Sequence, residues 1–131
     1  MELEFAIESG DEAGSYPFLL HKSVESGIVV DWEPTISAIL EEISGKVSVG
    51  KIAARFHNAL VEVIGEVAER IGEGKVVLTG GCFQNLYLIE KTVRGLESRG
   101  FRAYWHQRIP PNDGGISLGQ AVAAAHMREG V

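Results

Sequence analysis

The residue types able to do chemistry gather in two short segments of this 131-residue chain, "TGGCFQN" at positions 79–85 and "RIPPNDGG" at 108–115. In the first, Gly80 and Gly81 remove side chains where the backbone turns into a helix-forming run. Backbone N–H groups at such a helix start can meet a nucleotide or another anion, and a tight turn calls for the same two glycines. The spacing is neither GxGxxG nor GxxxxGK, so neither a dinucleotide fingerprint nor a P-loop follows. Gln84 and Asn85 add side-chain amides that can donate to and accept from a nucleotide, or cap the helix. Cys82, the single cysteine, could be a thiol activated by the following helix N-terminus, but reads rather as a small residue filling the strand-to-helix corner.

The second segment sets Asn112 and Asp113 directly before another helical run. Either would serve as an N-cap, a contribution of about 0.5–2 kcal/mol, and capping alone accounts for an acidic group there. The other reading of Asp113 is a carboxylate held at a site. It is favoured by the stiff Pro110-Pro111 pair before it and by convergence with the glycine turn at one edge of a sheet. His21, His57, His106 and His126 contain no HExxH or HxxxH pairing, so no local metal-binding pair exists. His57, inside "RFHN", reads as a packing or hydrogen-bonding residue, and Trp32 and Trp105 as core or edge-packing residues.

The elements that must position these residues follow from periodicity. "MELEFAI" fits a strand or a short helix. Pro17 to Lys22 and Gly27 to Trp32 are β-prone runs either side of "SVESG", which predicts a hairpin. Pro34 suits the first turn of a helix, with Ile36, Ile39, Leu40 and Ile43 at helical spacing until Gly45. The longest periodic segment places Ile52, Phe56, Ala59, Leu60, Val63, Ile64, Val67 and Ile71 on one broad apolar face. Ser48 suits its N-cap, and Gly72 or Gly74 its end.

Beyond it the rhythm alternates: "KVVLT" as strand, "GGCFQN" as turn, "LYLIEKTVRGLESRG" as helix, "FRAYWH" as strand and "GGISLGQAVAAAHMRE" as helix. Such alternation implies parallel strands joined by right-handed crossovers, with ligands beyond the carboxyl ends of the strands. Both glycine-bearing segments fall there. The predicted fold is α/β, a single domain over residues 1–131, with a three-layer mixed sheet, flanking helices and the N-terminal hairpin added at one edge.

The bulk numbers bound the function. A chain of this length buries roughly two-thirds of its unfolded surface, enough for one core. Its 45% hydrophobic and 23% charged composition is that of an ordered globule. A formal net charge of -6 argues against non-specific nucleic-acid binding, which needs a positive field. No apolar segment approaches the ~20 residues that span a bilayer, and the acidic N-terminus is unlike a signal peptide. With one cysteine and no intrachain disulfide, a cytoplasmic location without membrane contact is the expectation.

Three segments taken together, "KIAARFHNAL", "VVLTGGCFQNLYLIE" and "RIPPNDGGISLGQAVAAA", resemble in order and separation the C-terminal end of the HypF hydrogenase maturation carbamoyltransferases. "MELE" and the hairpin resemble the stretch just upstream. The resemblance implies one lobe of the actin-like, ribonuclease H-like ATPase fold, shared with the TsaD-type carbamoyltransferases. It implies ATP-dependent formation of carbamoyl-adenylate and carbamoyl transfer to a thiolate on a HypE-like acceptor.

By that resemblance Gly80 and Gly81 approach the adenosine part of the nucleotide, with Asn85 nearby. Asp113 becomes the carboxylate that this lobe contributes to a divalent metal ion. The pattern departs at Leu86, where arginine is common, and at Cys82, where valine is usual. The first lobe, whose histidine pair supplies the other ligands, is not in this sequence. The isolated chain is therefore expected to lack carbamoyltransferase activity, to need the missing lobe or its carrier protein as partner, and to self-associate through uncovered apolar surface. The alternative is a non-catalytic nucleotide-binding or assembly module that keeps the fold.

Overall fold

The computed structural model describes residues 2–8, 13–23 and 27–129. The tip of the predicted hairpin, residues 24–26, lies outside the described residues. In chain order the elements are α1 (Glu2–Phe5), β1 (Leu19–Ser23), β2 (Gly27–Asp31), α2 (Glu33–Ser44), α3 (Val49–Ile71), β3 (Lys75–Leu78), α4 (Leu86–Ser98), β4 (Arg102–Trp105) and α5 (Ile116–Glu129). Single 3-10 turns at Gly81–Gln84 and Asp113–Gly115 lead into α4 and α5. The ambiguous N-terminal run is thus a one-turn helix. No helix among the described residues is long and apolar enough to cross a membrane.

Local chemistry explains the boundaries. Pro34 stands in the first turn of α2, where Asp31 Oδ1 accepts from the Glu33 N–H at 2.9 Å. Ser48 caps α3 by accepting from the Lys51 N–H at 3.4 Å. Of the two glycines that could end α3 it is Gly72, in the left-handed region at φ 78°.

The strands form two separate sheets among the described residues, not one mixed sheet. β1 and β2 pair antiparallel from Leu19–Asp31 to Ser23–Gly27. β3 and β4 pair parallel, Lys75 beside Arg102 through Leu78 beside Trp105, as the alternation predicts. The hairpin joins no edge of the parallel pair. It is anchored to a helix instead, with Arg70 Nη1 donating to the Leu20 carbonyl at 3.2 Å.

Among the described residues only one face of the parallel pair is covered. Val76, Leu78 and Ala103 pack with Ala68 of α3 and with Ile89, Val93 and Leu96 of α4. On the alternate positions Val77 is 68% exposed and Tyr104 42% exposed. Among the described residues no third layer covers that face, and α5 is solvated: every residue from Ile116 to Met127 is exposed.

The predicted apolar face of the central helix is buried at Ala59 and Val63 and partly buried from Ile52 to Val67, but the deepest positions extend beyond it. The buried positions of α3 are mostly small, Gly50, Ala53, Ala54, Ala59, Gly65 and Ala68 among them, together with His57 and Val63. Ile71 is 61% exposed. Small residues let α4 lie close, and Gly95 of α4 sits where a Cβ would stand 3.2 Å from Val61 Cγ1.

The segment before β1 is held by a polar network. Buried Tyr16 donates its hydroxyl to Glu42 of α2, which also pairs with Arg55 of α3. Buried Thr35 donates to the Pro17 carbonyl at 2.6 Å.

Burial first, then the Glu42 carboxylate, pushes the Tyr16 phenol well above its ordinary value of 10.0. The folded state therefore keeps a proton that the unfolded chain releases, so this stabilisation is complete below pH 10.0 and declines as pH rises above it. Tyr16→Phe should cost about 1 kcal/mol at neutral pH and flatten that alkaline decline. Urea unfolding at several pH values checks both, and an unchanged alkaline slope would refute the second.

Thr92 of α4 is fully buried, and its hydroxyl has no hydrogen-bond partner among the described residues. Thr92→Val keeps the shape and should raise stability by about 1 kcal/mol, read as a higher denaturation midpoint.

Candidate functional site

The two glycine-bearing segments meet at the carboxyl ends of β3 and β4. The Gly80 N–H donates to the Pro111 carbonyl at 2.8 Å. A Cβ on Gly81 would stand 3.8 Å from Asn112 Cβ, an ordinary contact distance. One residue back, Thr79 Oγ1 and His106 Nε2 are 3.0 Å apart and tie the two strand ends together. Gly80 has φ 102°, a conformation that a side chain would strain. Between the loops and the start of α5 lies a recess of about 450 Å³, lined by Thr79, His106, Pro111, Asn112, Gly115 and Ile116 among others.

The cap of the 3-10 turn into α5 is Asn112. Its Oδ1 accepts from the Gly114 N–H at 3.0 Å, and its carbonyl accepts from the Gly115 N–H at 2.9 Å. Pro110 lies so close that a Cβ on Gly115 would stand 3.1 Å from its carbonyl oxygen. Asp113 takes no part in this cap, and the residue is exposed. The two readings that the sequence leaves open for Asp113 therefore separate: capping belongs to its neighbour.

Asn85 is half-buried and caps α4, its Oδ1 accepting from the Leu88 N–H at 2.8 Å. Since that N–H can only donate, the amide nitrogen must point the other way, toward His57 Nε2 at 2.7 Å. His57 Nδ1 lies 2.7 Å from the Ala53 carbonyl, which can only accept, so Nδ1 carries the proton and Nε2 accepts from Asn85. His57 is 4% exposed, and Phe56 and Tyr87 meet its ring edge-on at centroid distances of 6.0 and 5.5 Å. Its reading as a packing and hydrogen-bonding residue is correct, with a specific partner that the sequence did not indicate.

The other N–H groups at the start of α4 are also engaged. Glu4 Oε1 accepts from the Leu86 N–H at 2.6 Å and from the Tyr87 N–H at 3.3 Å. The anion that meets this helix terminus in the structure is therefore a side chain of the same protein. Nothing in the local sequence marks Glu4, which lies 82 residues from Leu86. His57 carried a faint signal, a polar residue within the small-residue face of the longest amphipathic helix.

Cys82 is exposed and does not fill the corner expected of it. Trp32 packs on Phe18, with ring centroids 6.4 Å apart, whereas Trp105 is 38% exposed. Among the described residues no three His, Cys, Asp or Glu side chains gather as a metal-binding group. Asp113 is an exposed carboxylate without cap duty.

Residues 1–120 match the family model of the carbamoyltransferase, Kae1-like domain, second subdomain. The chain is 43% identical over 114 residues to carbamoyltransferase HypF of Synechocystis sp., covering 87% of this chain and 14% of that protein. It is 34% identical over 105 residues to carbamoyltransferase HypF2 of Cupriavidus necator, covering 77% and 12% respectively. A crystal structure of full-length HypF in the phosphate- and nucleotide-bound form superposes with a TM-score of 0.85 at 36% identity, covering 96% of this chain and 17% of that one. The sequence thus spans about one-seventh of the length of such relatives, and the chain belongs to the HypF carbamoyltransferase family, matching the second subdomain of its Kae1-like domain.

Proposed function

We propose that this chain is the nucleotide-binding lobe of a HypF-like carbamoyltransferase in hydrogenase maturation, working in the cytoplasm and completed by a first lobe supplied from elsewhere. The observation that carries this reading is the junction of the two loops, where the Gly80 N–H meets the Pro111 carbonyl and leaves Asp113 exposed beside it. The phosphate- and nucleotide-bound state of the similar full-length HypF supports a nucleotide as ligand.

In this reading Gly80 and Gly81 let the adenosine portion of ATP approach the backbone. Asn85 stands next to that portion and keeps the turn in shape. Asp113 faces the phosphate and carbamoyl end as one ligand of a divalent metal ion, whose chemistry is to neutralise charge on phosphate oxygens. The acceptor of the carbamoyl group is the thiolate of a HypE-like partner.

The exposed surfaces agree with a missing lobe. A 14-residue helix is marginal in water on its own, so α5 needs a partner surface for the apolar Ile116, Leu118, Val122 and Met127. The edge of β3 away from β4 is unpaired among the described residues. An apolar recess of about 450 Å³ runs between that strand and α3. An open edge and a bare face suit two strands of the larger three-layer sheet of an actin-like lobe. Without a first lobe, the same surfaces pair copies of this chain.

Mixing the chain with a protein that carries the first lobe should dissociate these self-associated species in sedimentation. It should also produce ATP turnover dependent on carbamoyl phosphate. Nucleotide binding without turnover would favour the assembly-module alternative, and neither binding nor turnover would remove the proposal.

The cap belongs to Asn112, so the Asp113 carboxylate holds no part of the turn, while asparagine ligates a divalent cation less strongly than aspartate. Asp113→Asn should therefore leave the melting temperature unchanged while raising the metal concentration needed for half-maximal activity about tenfold or more. Unaltered activity at limiting metal would show that Asp113 is no ligand.

A further inference from the structure

We infer that His57 is a positioning residue for the nucleotide turn, acting through Asn85 from the buried side of α3. This rests on the reading of Gly80, Gly81 and Asn85 as the adenosine end of the site. His57 is 4% exposed and sits 28 positions before Asn85, so it touches no ligand itself.

A single line of hydrogen bonds runs from the Ala53 carbonyl to His57 Nδ1, from His57 Nε2 to the Asn85 amide nitrogen, and from Asn85 Oδ1 to the Leu88 N–H. Each member has only one orientation that satisfies its neighbours. The carbonyl dictates the imidazole tautomer, the tautomer dictates which way the amide faces, and the amide orientation presents an oxygen to the first turn of α4. The backbone of Asn85 is bonded in turn to the preceding one-turn helix, its N–H donating to the Cys82 carbonyl at 3.2 Å. Gly80, Gly81 and the turn that follows them are thereby anchored to the central helix at one point.

A ring that merely filled space would leave the Asn85 amide held by the Leu88 N–H alone, with its nitrogen unpartnered at a part-buried position. Gly80 would keep its bond to the Pro111 carbonyl, but the far end of the turn would lose its tie to the central helix, and a ligand that had to order that end as it bound would bind less tightly. Glu4 fixes the Leu86 and Tyr87 N–H groups but makes no bond to Asn85 in this line, so it does not replace the histidine.

The test measures ATP affinity by calorimetry in the complex of this chain with a first-lobe protein, beside the melting temperature of each variant. His57→Leu should weaken ATP about tenfold, and His57→Gln, whose amide oxygen can accept from Asn85, should recover most of the loss. In an Asn85→Ala background, His57→Leu should weaken ATP no further, since the path through Asn85 is already cut. Equal affinity of His57→Leu and the wild type, or losses that multiply in the double variant, would overturn the inference while leaving the nucleotide reading intact. Absence of ATP binding by the wild-type complex would instead overturn the nucleotide reading and this inference with it. If His57→Leu does not fold, His57→Asn, whose amide is one methylene shorter, is compared with His57→Gln: weaker ATP binding by His57→Asn supports the inference and equal binding overturns it.

Discussion

The close approach of α4 to α3 governs the rest of the structure. Two helices can come this near only where one of them gives up side-chain volume, and the inner face of α3 is built from glycine and alanine for most of its length. Gly65 carries this furthest, since a Cβ there would stand 2.6 Å from Arg99 Cζ, which lies across it while Arg99 Nη1 pairs with Glu69 at 3.1 Å. Into this tight seam the protein admits His57, whose hydrogen bonds are all satisfied, and Thr92, whose hydroxyl has no partner among the described residues. A satisfied polar pair in a close-packed seam fixes how the helices register, because any slide of α4 would separate Asn85 from Nε2.

From that registration the position of the loops follows. α4 begins at Asn85, and the turn before it begins at Gly80, so fixing the first residue of the helix fixes the mouth of β3. The parallel pairing of β3 with β4 brings the segment after β4 alongside, and the Gly80 to Pro111 bond closes the gap. Glycine is needed at both places for different reasons. At Gly80 the backbone takes a positive φ, whereas at Gly115 the crowding comes from the Pro110 carbonyl. Asn112 completes the junction by capping the helix start, and the adjacent Asp113 carboxylate takes no part in that cap.

The same packing leaves much apolar surface unused. Among the described residues one face of the parallel pair is covered and the other is bare, and α5 makes its own backbone bonds without burying a side chain between Ile116 and Met127. Ile36, Leu40 and Ile43 of α2 are each more than half exposed as well. Contiguous apolar surface of this kind is characteristic of faces that meet another protein surface.

Periodicity along the sequence was enough to locate every long helix, the hairpin strands and the parallel pair, because each is dictated by neighbours within a few residues. Ser48 as cap and the proline start of α2 were legible for the same reason. The match of three ordered segments to one family also lay in the sequence. What periodicity could not decide was which surfaces would be covered, since burial depends on partners distant along the chain. That is why the hairpin stands apart from the parallel strands, why α5 is solvated, and why small residues rather than Ile71 face the core. It is also why Glu4 as a helix cap and His57 as the partner of Asn85 emerged only with the fold. Each is a bond between residues separated by tens of positions, and only the tertiary structure sets that distance.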